Sequence, residues 1–166
     1  MKRHLLIFLC CFLLGSCTQV YFLNPQPQKG TIVKSFINEI QGNYTDSILS
    51  VEIGKQELIV DGEHYKLTDG LLAENEVLVK YYKDFYFANF KDSLHYTVFM
   101  AKFYDQKLAV YMLSPDQRSI NVLGRFVKVE PLDREMKTYL IDPSKKEFEA
   151  LFENGVFEVV NVLMKK

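Results

Sequence analysis

EVLVKYYKDFYFANFKDSLHYTVFMAKFYDQKLAVYML, the stretch from residue 76 to residue 113, decides the fold of this chain. It holds four runs of apolar and aromatic residues, at 76–83, 84–90, 95–104 and 107–113, and short polar segments join them. Strands of this length joined by tight turns are typical of antiparallel pairing between sequence neighbours. The stretch therefore predicts a meander, which forms either a closed barrel or part of a sandwich.

The residues on either side of this stretch extend the same pattern. Strands are predicted at 44–53, 57–60 and 64–67 before it, and at 126–129, 138–141 and 156–164 after it. Asp61-Gly62 lies between two apolar runs and is a strong hairpin signal, because a type I′ turn needs positive φ at both central positions. We therefore expect a mainly β fold, an antiparallel meander forming a barrel or sandwich.

Two short helical elements complete the predicted fold. The apolar residues within 31–40 have a spacing that suits one or two helical turns. Near the other end of the chain, Ser144 and Glu147 have the spacing of a capping box, and Phe148 and Leu151 fall on one helical face. We expect a short N-terminal helical turn and one C-terminal helix before the last strand.

The run at 95–104 is apolar on both of its faces, and side chains alternate across a strand. One face carries His95, Thr97, Phe99, Ala101 and Phe103, and the other carries Tyr96, Val98, Met100, Lys102 and Tyr104. Burial on one side does not account for this pattern. Three interpretations fit this pattern. The strand lies between a core and the C-terminal helix, or it lines a barrel cavity that holds an apolar ligand, or it presents tyrosines to a partner. The candidate ligand or partner surface consists of Phe87, Tyr96, Phe99, Phe103 and Tyr104.

The segment Ile40-Gln41-Gly42-Asn43-Tyr44 resembles the start of a lipocalin. In that family a Gly-x-Trp sequence begins the first strand and closes the base of the barrel. Tyr44 stands here where the family has tryptophan, and the chain contains no tryptophan. The resemblance implies a cup-shaped barrel with an apolar pocket.

The N-terminus has the features of an export signal. Lys2 and Arg3 precede an uncharged apolar run at 5–14, which is about half the length that a membrane-spanning helix needs. Leu14-Gly15-Ser16-Cys17 then resembles the lipobox of bacterial lipoproteins. The resemblance implies that the signal peptide, residues 1–16, is removed and that Cys17 carries the lipid that attaches the protein to a membrane. We expect residues 17–30, which include two prolines, to form a lipidated tether, and residues 31–166 to form a single domain.

The residues after Cys17 indicate where such a lipoprotein would be kept. Lipoproteins of the inner membrane often carry Asp after the lipidated cysteine, whereas this chain has Thr18. It also lacks the acidic cluster that exports some lipoproteins to the cell surface. The expected location is the cell envelope, with the lipid in the outer membrane and the domain facing the periplasm.

The composition excludes several classes of function. The chain has 20 Lys and Arg against 21 Asp and Glu, and the signal peptide takes two of the basic residues with it. Without a basic block, no nucleic-acid partner is expected. Cys10 and Cys11 lie in the signal peptide and Cys17 is used for the lipid, so neither a disulfide nor a cysteine zinc site is expected.

No catalytic motif is present in the sequence. His64 and His95 are the histidines outside the signal peptide, and there is no nucleophile elbow, no His-Glu-x-x-His and no phosphate-binding glycine loop. We therefore predict no catalytic residue, no cofactor and no metal ligand. The expected function is a non-enzymatic module that binds an apolar small molecule or an envelope protein. The alternative is an envelope hydrolase in which His64 or His95 meets a carboxylate or hydroxyl.

Overall fold

The computed structural model describes residues 19–70, 72–113, 117–133 and 137–166. Within these ranges the strands are β1 Gln19–Phe22, β2 Thr31–Ile32, β3 Gly42–Thr45, β4 Ser50–Ile53, β5 Glu57–Val60, β6 Glu63–Leu67, β7 Glu76–Tyr82, β8 Phe85–Asp92, β9 His95–Tyr104, β10 Lys107–Met112, β11 Val129–Asp133, β12 Thr138–Ile141 and β13 Glu158–Lys165. The helices are a 3-10 helix at Asn38–Ile40, α1 at Gln117–Leu123 and α2 at Lys145–Glu153. None of these described helices has the length and apolar content needed to cross a membrane.

Nine strands form a closed barrel, which confirms the prediction of a mainly β fold and decides between barrel and sandwich. The strands β3 to β10 follow one another around the ring, and β13 pairs with both β10 and β3 to close it. The neighbours around the ring are antiparallel except for β6 and β7, which run parallel and pair Leu67 with Val77. The helix α2 precedes the last strand, as expected.

Several hairpin turns use residues with positive φ at both central positions. Asp61 and Gly62 have φ of 49° and 84°, as the Asp-Gly signal predicts. The β7–β8 turn uses Lys83 and Asp84, with φ of 48° and 65°. These left-handed conformations give the turn the twist of the flanking strands. The meander is therefore fixed locally by its turns.

Residues 19–30, which belong to the segment predicted as a lipidated tether at 17–30, are folded against the barrel. The strand β1 pairs in parallel with β12, and it pairs Phe22 with Tyr96 of β9. Val20 and Phe22 are buried, so this segment adds apolar surface to the core. The fully buried Asn89 side chain accepts a hydrogen bond from the Gln26 backbone N–H (2.6 Å) and donates one to its carbonyl (2.8 Å). The folded unit therefore includes residues before 31, while the predicted signal peptide and Cys17 lie outside the described residues.

Three other predicted elements differ in detail. Only the 3-10 helix at Asn38–Ile40 is helical within 31–40, and β2 pairs with β7 instead. The predicted strand 44–53 is interrupted by a turn in which Asp46 Oδ1 accepts hydrogen bonds from the backbone N–H groups of Ile48 and Leu49, both at 2.7 Å. Side-chain capping of this kind competes with strand pairing. The strand predicted at 126–129 begins only at Val129.

The barrel wall separates two hydrophobic cores. The inner core lies inside the ring. The outer core lies between the outside of β8 and β9 and the elements that cover it, and its fully buried side chains include Phe22, Phe87, Leu123, Phe148 and Leu151. The helix α2 contributes to the outer core and begins with the predicted capping box between Ser144 and Glu147. A sheet region covered on both faces needs apolar residues on both, which explains the density of aromatic residues in β8 and β9.

Candidate ligand-binding cavity

A cavity of about 270 Å³ occupies the inside of the barrel. Most of its wall consists of aliphatic and aromatic side chains. Every strand of the ring except β3 and β6 supplies some of them, namely Val51, Ile53, Leu58, Val60, Val79, Tyr86, Ala88, Phe90, Phe99, Ala101, Phe103, Leu108, Val110 and Val160. Phe36 and Leu49 add to the wall from the segments before β3 and before β4. The remaining lining residues are Asp61, Glu63 and Asn161. The alternation of side chains along a strand explains which residues line the cavity. On β8, for example, Tyr86, Ala88 and Phe90 lie on the face that turns inward.

One end of the barrel, which we call the closed end, is covered by the segment before β3. The backbone N–H of Phe36 donates to the carbonyl of Lys55 in the β4–β5 turn at 2.8 Å. Lys165 Nζ, at the end of β13, donates to the carbonyl of Glu39 in the 3-10 helix at 3.0 Å. Phe36 itself is buried and lines the cavity. The segment therefore forms a floor that is held to two strands of the ring.

Tyr44 supports this floor from the first strand of the ring. It is 2 % exposed, and its hydroxyl donates to the carbonyl of Ile40 at 2.9 Å. Its ring meets that of Phe103 edge to face, with centroids 5.6 Å apart. Burial raises the pKa of Tyr44, so the side chain remains a hydrogen-bond donor at neutral pH. Tyr44 thus fastens the 3-10 helix to β3.

The opposite end of the ring, which we call the open end, carries the polar lining residues. Asp61 lies in the β5–β6 turn, Glu63 begins β6, and Asn161 is on β13. Asn161 Nδ2 donates to Asp46 Oδ2 at 2.9 Å, which links β13 to the β3–β4 turn. The Tyr65 hydroxyl donates to Glu63 Oε2 at 2.8 Å. Burial and this carboxylate together raise the pKa of Tyr65, so it too remains protonated.

The structure separates the residues that the sequence grouped as one surface. Phe99 and Phe103 line the cavity, as one of the predicted alternatives requires. Phe87 does not, because it lies between Tyr86 and Ala88 on β8 and faces the other way. Its ring contacts Phe148 of α2 with centroids 5.6 Å apart. Phe87 is therefore a residue of the outer core.

The two tyrosines proposed for a partner surface lie at opposite ends of β9. Tyr96 is half-buried against the outer core, where it pairs with Phe22 of β1. Tyr104 is 41 % exposed and pairs with Lys107 beside the β9–β10 turn. A strand advances about 3.3 Å per residue, so eight residues separate their backbones by more than 20 Å. The structure does not bring them together into one surface.

Much of the cavity wall was absent from the sequence-based candidates. Val51, Leu58, Val79, Leu108 and Val110 come from strands whose existence was predicted, but no residue pattern shows which face turns inward. That orientation depends on how the strands pair around the ring. Once the order of strands around the ring is known, the alternation of side chains along each strand identifies the residues of the cavity wall.

Neither histidine of the hydrolase alternative lines the cavity. His64 Nδ1 lies 3.4 Å from Glu57 Oε2, and both side chains are largely exposed on the outside of the barrel. His95 lies beside the ring of Tyr21, with centroids 5.9 Å apart. In the described part of the chain, no group of three or more His, Cys, Asp or Glu side chains could hold a metal ion. The two histidines on which the hydrolase alternative depends thus lie outside this cavity.

Comparison with known proteins gives no match from which a family could be assigned. No protein-family model matches the chain, no curated protein matches its sequence, and no solved structure matches it.

Proposed function

We propose that this protein is a lipid-anchored binding protein of the cell envelope that holds an apolar small molecule inside its barrel. The observation that carries the proposal is the cavity of about 270 Å³, whose wall is apolar apart from three residues at the open end. Apolar cavities of about 150 Å³ already bind benzene, and ligand pockets start at about 300 Å³. The cavity is thus of a size to enclose a small ligand or part of an alkyl chain.

The affinity of such a ligand would come from transfer out of water. Each methylene group buried in an apolar environment contributes about 0.8 kcal/mol. Phe90, Phe99 and Phe103 offer ring faces and edges to the ligand, and the inner face of β9 supplies two of them. The floor at the closed end leaves the open end as the entrance. This arrangement supports binding of a chain or ring that enters with its apolar part first.

Filling the cavity with a side chain tests the proposal. Ala101 lines the cavity on β9, and Ala101→Phe places a ring in the space that the ligand would take. We expect the wild-type protein to bind N-phenyl-1-naphthylamine, a neutral fluorescent probe, and the variant to bind it about tenfold more weakly or worse (roughly 1.4 kcal/mol of binding free energy). Val162→Phe is the matched control, because Val162 is 41 % exposed on the outside of β13.

The outcomes of this titration separate the alternatives. Loss of probe binding in Ala101→Phe with retention in Val162→Phe supports the barrel interior as the site. Equal binding by all three proteins, each shown to be folded by circular dichroism, would place the probe elsewhere and contradict the proposal.

The envelope location rests on the lipobox resemblance and needs a separate test. The full chain would be expressed in bacteria supplied with an alkyne fatty acid, and the labelled lipid would be detected on the protein. We expect Cys17→Ser to lose the label and to leave the membrane fraction. Cys11→Ser is the control, since Cys11 lies within the predicted signal peptide, and it should keep both. A label that survives Cys17→Ser would contradict lipidation at this residue.

A further inference from the structure

We propose that the cavity selects amphiphiles whose head group is a protonated amine, with the alkyl chain inside the barrel and the ammonium group at the open end. The inference rests on the proposed ligand-binding function and gives that function a ligand class. It follows from the charges at the entrance. Among the residues that line the cavity, the charged ones are Asp61 and Glu63, and no lysine, arginine or histidine joins them.

The two carboxylates have oxygen atoms left over after their contacts with the protein. Asp61 Oδ1 accepts a hydrogen bond from the backbone N–H of Ser50 at 2.9 Å, and Glu63 Oε2 accepts one from the Tyr65 hydroxyl at 2.8 Å. Asp61 Oδ2 and Glu63 Oε1 receive none from the described residues. Since an ammonium group offers three donors and no acceptor, these oxygens suit it.

A third carboxylate strengthens the negative field at the same end. Asp46 receives hydrogen bonds from Ile48, Leu49 and Asn161, and Asn161 also lines the cavity. Burial works against the charged form of Asp46, but these hydrogen bonds outweigh it and hold its pKa below the usual value. Asp46 is therefore charged at neutral pH.

No cation of the described chain neutralises this group of acids. Ion pairs of the described residues involve other carboxylates, among them Glu57, Asp69, Glu130, Glu149 and Glu153. A cleft of one charge sign beside apolar walls focuses the field and raises the local concentration of the opposite charge. A fatty acid would bring its own carboxylate to this entrance, where like charges repel. The geometry therefore favours an alkylamine over a carboxylate of equal chain length.

The test compares three ligands that differ only in their head group. Decylamine, decanol and undecanoate, which share a ten-carbon alkyl chain, would displace the neutral fluorescent probe from the full-length protein at neutral pH, each below its micelle concentration. We expect decylamine to bind most tightly and undecanoate most weakly. The two carboxylates at the entrance contribute up to about fivefold each, so the difference in affinity should be about tenfold or more. Added salt should reduce the difference by screening the charges.

Conservative variants assign the selectivity to the entrance. Asp61→Asn and Glu63→Gln keep an oxygen for Ser50 and Tyr65, and Asn tolerates the φ of 49° at position 61. Combined, they should weaken decylamine binding about fivefold or more and leave decanol binding unchanged. Glu52→Gln is the matched control, because Glu52 is exposed and lies between Val51 and Ile53, which line the cavity from the opposite face of β4.

Each result decides a different question. If undecanoate binds as tightly as decylamine, or if the double variant keeps the amine preference, the head-group inference is overturned while ligand binding stands. If neither the probe nor any of the three ligands binds, the proposed function is overturned.

Discussion

The outer and inner faces of β8 and β9 carry similar apolar side chains but have different surroundings. On the outer face, Phe87 is fully buried, and its ring lies about 6 Å from those of Phe148 and Phe157. On the inner face, Phe99 and Ala101 border a cavity of about 270 Å³. The difference comes from what covers each face. Side chains from both α-helices and from β1 and β12 fill the space outside, whereas the curvature of the ring keeps the inner walls apart.

This contrast shows that apolar composition does not determine packing density. A small barrel is filled by its own side chains only when these are large enough for its diameter. Here Ala88 and Ala101, two small residues, lie on adjacent strands of the inner face. Small residues at the centre of the wall are therefore what leaves room inside the barrel.

The largest expected effect tests the contrast directly through two phenylalanines. Phe87→Ala should lower the free energy of unfolding by about 3–5 kcal/mol, because it opens a void in a filled core. Phe99→Ala should cost less, about 1–2 kcal/mol, because one side of its ring faces the cavity and has fewer contacts to lose. Urea denaturation measures both. Equal losses would mean that the two faces are packed alike in solution.

A smaller effect is expected from the polar contact that holds the N-terminal segment on the outer face. Asn89→Ala removes the hydrogen bonds to both backbone groups of Gln26. Unsatisfied buried groups cost about 1–3 kcal/mol each, so we expect a loss of about 2–4 kcal/mol and earlier proteolysis at 23–30. Asn43→Ala, at an exposed position of β3, should change stability by less than about 0.5 kcal/mol. Similar stability of the two variants would mean that the segment is not held by Asn89.

The smallest effect concerns the helix that covers the outer face. Ser144→Ala removes the side chain that caps α2 at the backbone N–H of Glu147. The expected loss is about 1 kcal/mol in urea denaturation. Probe binding inside the barrel should remain, since α2 lies on the far side of the wall. Loss of probe binding would show that the two cores are coupled more closely than their separation suggests.

Local signals in the sequence were enough for much of the barrel. The strands at 57–60, 95–104 and 138–141 occur with the predicted bounds, because alternation and adjacent turn residues define them. The Asp61-Gly62 turn and the capping box at Ser144 were predicted for the same reason. Each of these features depends on residues that are close in the chain.

The features that were missed depend on contacts between distant residues. The segment at 19–30 contains prolines and polar residues typical of a linker, yet Asn89 and the parallel partner β12 are about 60 and 120 residues away. The inward orientation of Phe99 and the outward orientation of Phe87 depend on how β8 pairs with β9. A pattern within one strand identifies its two faces but not their surroundings.

The strand count of the barrel has a consequence for one of its connections. Around a closed ring, every antiparallel neighbour reverses the strand direction, and the direction must return to its starting value after one circuit. A ring of nine strands therefore requires an odd number of like-directed neighbours, and β6 and β7 are that pair. Since Leu67, the last residue of β6, pairs with Val77 near the start of β7, the chain leaves β6 and enters β7 at the same level of the wall. A deletion that turned this connection into a tight hairpin would therefore force the ring to gain or lose a strand.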